Sequence, residues 1–298
     1  MTSPKDVKRH FQKQQQKRRH KDVPERRHNN QKRRTLFAGK GFSICRYYCD
    51  TTCGKKVLVT GAGKGTGREV AIALSESGCK VYALSRTKST LDTLVEEHPS
   101  IVPIVADLCD WNNTREKLEN LEVLDGLVNN AGMAGHEYEA VDCPSEYIWK
   151  ILDNNLLSSI NCSQVVAKKM IEANIRGSIV NNSSNGSLAA FPKGLPYNVS
   201  KAGMDMVTKQ LALELGPHGI RVNSVNAALV NTSLVQNMIK QGKLSEETFT
   251  SRTPMGRILK LQEIVDPILY LLSEHSSMVT GQMHVVDGGC MSNITVQV

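Results

Sequence analysis

Long apolar runs are missing from this 298-residue chain. No stretch approaches the roughly 18 consecutive apolar residues that a membrane-spanning helix needs. An apolar core of a secretory leader is missing from the first residues, so a cytoplasmic protein is expected. A tight Cys-x-x-Cys step is missing as well, although the chain holds eight cysteines. Cys79, Cys109, Cys143, Cys162 and Cys290 are scattered through a body large enough to do without disulfide staples. Cys45, Cys49 and Cys53 recur every fourth residue, but no fourth ligand accompanies them. They read as incidental thiols, and no metal site is expected. Internal repeats are absent, and composition shifts only once along the chain.

That shift is in charge. Residues 1–54 hold 15 Lys/Arg against 4 Asp/Glu, whereas the remaining 244 hold 22 against 25. The net charge of +8 therefore belongs to a tail and not to the body. The stretch "KRHFQKQQQKRRHKDVPERRHNNQKRR" has too little apolar surface to offset the entropy of ordering, and it reads as disordered. Its chemistry suits nuclear targeting, nonspecific contact with nucleic acid, or an anionic membrane surface. The simpler reading is a solvated extension. Residues 1–53 form this basic segment, and residues 54–298 form one domain.

Within the body, short β-branched runs alternate with amphipathic stretches. Strands are expected at 56–60, 80–85, 101–106, 124–129, 177–183, 220–226 and 283–287. Uninterrupted apolar strands joined by helices predict an α/β fold of Rossmann type. Its doubly wound, seven-stranded parallel sheet is covered by helices on both faces.

The segment "VLVTGAGKGTGREVAIALSESG" places a glycine-rich turn between the first strand and a helix, the context in which such a turn binds a nucleotide. Gly61 permits the tight turn, while Gly65 and Gly67 let a pyrophosphate approach the backbone at the positive helix end. Gly63, Lys64 and Thr66 complete the turn. A site for NAD normally closes its second strand with an acid that binds the ribose 2′-hydroxyl. Here Ser85, Arg86 and Thr87 stand there instead. Arg86 can pair with a 2′-phosphate, Lys64 adds positive charge, and no carboxylate repels one. The expected cofactor is NADP(H).

Tyr197 and Lys201 stand one helical turn apart in "YNVSK". A free phenol titrates near pKa 10, and a neighbouring cation is expected to draw it toward working pH. Ser184 closes a strand 13 positions before the tyrosine, at the sheet edge where ligands of open α/β sheets bind.

Together, Thr60–Gly67, "NNAG" at 129–132, the Ser183–Ser184 pair and "YNVSK" resemble the short-chain dehydrogenase/reductase superfamily, from Gly54 to about Gly289. Segments such as "ALSRTKSTLDTLV" and "LALELGPHGIRVNSVN" are similar to its L-xylulose reductase (dicarbonyl reductase) group. The resemblance implies Tyr197 as general acid/base and Lys201 as the group that tunes it and holds the nicotinamide ribose. It implies Ser184 as hydrogen-bond donor to the substrate oxygen, and Asn155 as support for a water that links the lysine to solvent. It further implies that Asp107 and Leu108 face the adenine, Asn129 the adenosine ribose, and Val230 and Thr232 the carboxamide. For Asn130 a structural role is expected.

The implied activity is NADPH-dependent reduction of a small polar carbonyl such as L-xylulose or an α-dicarbonyl, in a homotetramer. Two alternatives stay open. One is a reductase for an apolar carbonyl (3-oxoacyl, steroid or retinoid), which Leu188, Phe191 and Leu195 suit. The other is a catalytically idle fold that binds nucleic acid through its tail. Three positions depart from the family pattern: Thr66 for isoleucine, Ala227 for proline, and the stretch between Ser184 and Tyr197.

Overall fold

A computed structural model describes residues 51–135, 137–242 and 244–292. The basic tail, with Cys45 and Cys49, lies outside the described residues.

All seven expected strands form: β1 Lys56–Thr60, β2 Lys80–Ser85, β3 Val102–Val105, β4 Gly126–Asn129, β5 Ser178–Asn182, β6 Arg221–Ala227 and β7 Met283–Val286. They make one parallel sheet in the order β3-β2-β1-β4-β5-β6-β7. The chain winds outward from β1 to one edge and from β4 to the other. The carboxyl ends of β1 and β4 therefore flank the crevice where doubly wound sheets bind ligands.

Between the strands run α1 Gly65–Glu76, α2 Lys88–Glu97, α3 Trp111–Glu119 and α4 Ser145–Leu152. Helix α4 passes through a π turn, Asp153–Leu157, into α5 Ser158–Glu172. Then come α6 Leu195–Leu215, α7 Ser233–Lys240, α8 Glu246–Thr250 and α9 Gln262–Leu272. Alternate strand side chains point to opposite faces, so each strand feeds two cores. Val57 and Val59 pack with Val70, Leu74, Ile264 and Ile268 on one side. Leu58 packs with Leu127, Val166, Met170 and Ile179 on the other.

Four expected strands are shorter than read: β3 and β5 lose one residue at each end, while β4 starts late and β7 ends early where aspartates intervene. β4 begins at Gly126 and not at 124; at Asp125 the carboxylate takes the Lys56 N–H at 2.9 Å in place of a backbone carbonyl, while the Asp125 N–H still donates to Lys56 O at 2.8 Å. β7 ends at Val286 because the Asp287 carboxylate turns to accept the N–H groups of Gly289 (2.8 Å) and Met291 (2.7 Å). Pro103 in β3 sits on an edge strand, where a missing donor is tolerated.

Among the described residues no helix is long and apolar enough to cross a membrane, and no three His, Cys, Asp or Glu side chains gather as a metal site.

Candidate active site

The glycine turn after β1 is built almost wholly by the protein's own packing. Gly61 has φ +65°, and a Cβ there would lie 2.8 Å from the Ala131 Cα. At Gly63 a Cβ would collide with the Thr90 hydroxyl, and at Gly67 with the Asn130 amide and, at 2.5 Å, the Gly61 carbonyl. Gly65 differs from these three. It opens α1 with φ +58°, and the nearest atom to a Cβ would be the Thr232 Cγ2 at 3.9 Å. The close approach expected at both Gly65 and Gly67 is thus open at Gly65, while Gly67 is filled from the protein side. Helix α1 carries neither a side-chain cap nor an acid in its first turn. Its first N–H groups and positive dipole end face the cleft, which suits a phosphate. The exposed Lys64 precedes them, and Thr66 is half-buried beside it.

At the end of β2, Arg86 is 70% exposed and lies 3.6 Å from an Asp107 oxygen. Asp107 also accepts the Cys109 N–H at 3.1 Å. An ion pair this open and this long contributes little, so Arg86 stays available to another anion. Ser85 accepts the Thr87 N–H at 3.4 Å. Leu108 packs inward with the Leu58 core. The Asn129 amide also turns inward, donating to Ser163 at 2.9 Å and Asn181 at 2.8 Å. Val230 pairs with Leu259, and Thr232 caps α7 by accepting the Val235 N–H at 3.3 Å. Asn130 is a strut, as expected. Its amide donates to Thr60 O at 3.0 Å, while Thr60 Oγ1 accepts the Asn130 and Ala131 N–H groups at 3.0 and 3.1 Å.

Beside this cleft stand the four candidate catalytic residues. Ser184 follows β5 and opens a short 3-10 turn, Asn185–Ser187. Its Oγ accepts the Gly186 N–H at 3.0 Å, and its hydroxyl donates to the Asn185 Oδ1 at 3.5 Å, a long bond that a better acceptor can replace. Ser184 is also hydrogen-bonded to Tyr197, which stands in the first turns of α6 just after Pro196. One turn on, the Lys201 Nζ lies 5.9 Å from the Tyr197 ring centre and donates to Asn182 O at 2.7 Å. Asn155 sits in the π turn, a feature frequent at functional sites. Its Oδ1 accepts the Met133 N–H at 2.8 Å, and its Nδ2 donates to Met133 O (3.0 Å) and Ser200 Oγ (3.1 Å). Gly132 lies between Asn155 and Lys201: a Cβ there would be 3.3 Å from the Asn155 Oδ1 and 3.8 Å from the Lys201 Nζ.

Burial dominates the electrostatics. It draws the Lys201 amine down to about 8, and the nearby Asp205 carboxylate opposes it. It pushes the Tyr197 phenol above its ordinary range, and the Ser184 hydrogen bond pulls back only in part. The expected lowering of Tyr197 by Lys201 is therefore corrected: desolvation wins, with the ammonium turned to Asn182 O. Tyr197 is a phenol at neutral pH, the form that gives a proton.

The sequence reading passed over Asp205, Asn226 and the seat of Phe191. A Cβ at Gly186 would lie 2.8 Å from the Phe191 ring, and one at Gly194 would lie 2.5 Å from it. The two glycines thus make a slot that sets this ring 6.1 Å from that of Tyr197. Asp205 carried a signal, being an acid one turn beyond Lys201 among apolar neighbours.

A family model described as enoyl-(acyl carrier protein) reductase matches residues 61–291. The chain is 42% identical to L-xylulose reductase of Homo sapiens over 236 residues, 79% of this chain and 96% of that protein. It is 40% identical to carbonyl reductase (NADPH) 2 of Sus scrofa over 240 residues, 80% of this chain and 98% of that protein. Among solved structures, ElxO with NADP bound superposes with a TM-score of 0.75 at 27% identity, covering 80% of this chain and 100% of that one. With the parallel sheet, the glycine turn and these likenesses in agreement, the chain belongs to the short-chain dehydrogenase/reductase superfamily of oxidoreductases acting on alcohol and carbonyl groups.

Proposed function

We propose that the protein is an NADP(H)-dependent carbonyl reductase for small polar carbonyls such as L-xylulose or an α-dicarbonyl. The observation that carries this reading is the meeting of Tyr197, Ser184 and Lys201 beside an uncapped α1 with Gly65 open to the cleft. The names of the relatives support the cofactor and the substrate class. The residues present fit the cofactor: α1 would receive the pyrophosphate, and Arg86 with Lys64 the 2′-phosphate. NADPH, when bound, supplies the hydride. Tyr197 gives its Oη proton to the carbonyl oxygen. Ser184 donates its hydroxyl proton as a hydrogen bond to the same oxygen and steadies the developing charge. Lys201 holds the ribose, and a water kept by Asn155 over Gly132 returns the proton from solvent. The experiment is a panel of diacetyl, L-xylulose and a long-chain ketone with both nicotinamide cofactors. Faster turnover of the small polar carbonyls with NADPH is expected; no turnover of any would overturn the reading.

A second reading has one observation in its favour. The Phe191 ring beside Tyr197, with the exposed Leu188 and Leu195, offers an apolar wall. Preferential turnover of the long-chain ketone would select it.

If Arg86 receives the 2′-phosphate, Arg86→Glu lowers the kcat/KM ratio of NADPH over NADH by about tenfold or more, the worth of one charge-assisted contact. Parallel kinetics with the two cofactors measure it, and an unchanged ratio would remove Arg86 from the site.

The homotetramer belongs to the same proposal. Val199, Met206 and Leu213 are exposed on α6 at a spacing of seven, which aligns them in one apolar stripe. Trp149 and Ile171 add exposed apolar surface on α4 and α5. Leu213→Lys is expected to convert the tetramer to smaller species in light scattering. A tetrameric mass retained by the variant, or a monomeric mass for the parent, would count against that assembly.

A further inference from the structure

We infer that Asp205 is a positioning residue for the proposed reaction: its buried carboxylate, anchored by Asn226, is the countercharge that keeps the Lys201 side chain an ammonium. The inference rests on the assignment of Lys201 above and deepens it.

Asp205 lies one turn beyond Lys201 on α6, and the two are equally buried, each 5% exposed. Its Oδ2 accepts the Asn226 Nδ2 at 2.7 Å, whereas its Oδ1 has no hydrogen-bond partner among the described residues. A carboxylate held out of water with an unmatched oxygen is costly unless a cation compensates it. Among the described residues, the charged side chain that acts on Lys201 is Asp205. The other neighbours are uncharged. From β5 comes the Asn182 carbonyl, from α6 Met204 and the Tyr197 phenol, and from the segments after β4 and α4 come Gly132 and Asn155. Tyr197 is the one of these that titrates. In a pocket this short of water, opposite charges a turn apart attract each other without direct contact.

Asn226, at the end of β6, fixes the geometry. Its Oδ1 accepts the Ser224 hydroxyl at 2.8 Å, which orients the amide. Its Nδ2 also reaches Ser187 Oγ at 2.8 Å and Ser184 O at 3.3 Å. One amide thus joins the acid behind Lys201 to the turn that carries Ser184.

The test uses Asp205→Asn in the full chain, an isosteric change that can still bond Asn226. The pH dependence of kcat for NADPH-driven diacetyl reduction is measured, together with the pH dependence of NADPH affinity by fluorescence. Asp205 favours the protonated lysine, so its removal moves the alkaline limb of both profiles to lower pH. Below that limb the variant approaches the parent. Asp205→Glu, which keeps the charge, returns the limbs toward the parent's. Should the amide variant not fold, Asp205→Ser makes the same comparison. Unshifted limbs, or a loss by the same factor at every pH, would overturn the inference, since a merely structural role gives that pattern. The affinity measurement involves no carbonyl. Failure of every substrate would therefore defeat the proposed function while leaving Asp205 tested.

Discussion

Tyr197→Phe lowers kcat for NADPH-driven carbonyl reduction by about 10²–10⁴-fold, the usual worth of a positioned proton donor. The change removes one oxygen and keeps the ring. The phenyl group still packs beside Phe191, and the turn that receives the cofactor is untouched. What is lost is the proton that burial holds on the phenol at neutral pH. Ser184 is a poor substitute for it, because a serine hydroxyl is a much weaker acid than a phenol. Steady-state rates, with melting temperature and NADPH titration as controls, measure the effect. A rate within about tenfold of the parent would be too small for a lost general acid and would remove Tyr197 from that role.

Gly67→Ala is expected to destabilise the protein by about 1–3 kcal/mol, the cost of forcing a methyl group into a filled space, and to weaken NADPH binding with it. The new Cβ would sit 2.5 Å from the Gly61 carbonyl and against the Asn130 amide. That amide is not free to yield, since it donates to Thr60 O at 3.0 Å and accepts from Asn182 at 2.9 Å. Either α1 moves off the sheet or the staple between the glycine turn and the segment after β4 opens. Gly65→Ala is the contrast. It meets open space, so its cost is the positive φ alone, about 1 kcal/mol, and its larger effect falls on cofactor affinity. Chemical denaturation of both variants separates the two. Equal stability of Gly67→Ala and the parent would contradict the packing described here.

The fold was legible because period and punctuation agree with it. Strand-length apolar runs, a helix after each of the first three, and the glycine turn between β1 and α1 leave few alternatives to a doubly wound sheet. The four candidate catalytic residues were legible through the family resemblance, Asn155 by that alone; for Ser184, Tyr197 and Lys201 the spacing and the strand end also point to one sheet edge. Three things were not legible. The direction of the Tyr197 shift depends on how dry the pocket is and on Lys201 bonding a carbonyl, which spacing does not encode. The seating of Phe191 depends on Gly186 and Gly194 meeting across a loop. The link from Asp205 to Ser184 passes through Asn226 on another strand, 21 positions away, and only tertiary packing makes them neighbours. At Gly67 the need for glycine has another cause than the one expected: a protein amide and the Gly61 carbonyl occupy the space a Cβ would take.

The most direct measurement of the central claim is transfer of deuterium from nicotinamide-deuterated NADPH to product during reduction of diacetyl or L-xylulose. The account predicts that the label appears on the new carbinol carbon, with the hydroxyl proton drawn from solvent, and that Tyr197→Phe slows this transfer. Unconsumed NADPH with every small carbonyl, or product formed without label at that carbon, would contradict it.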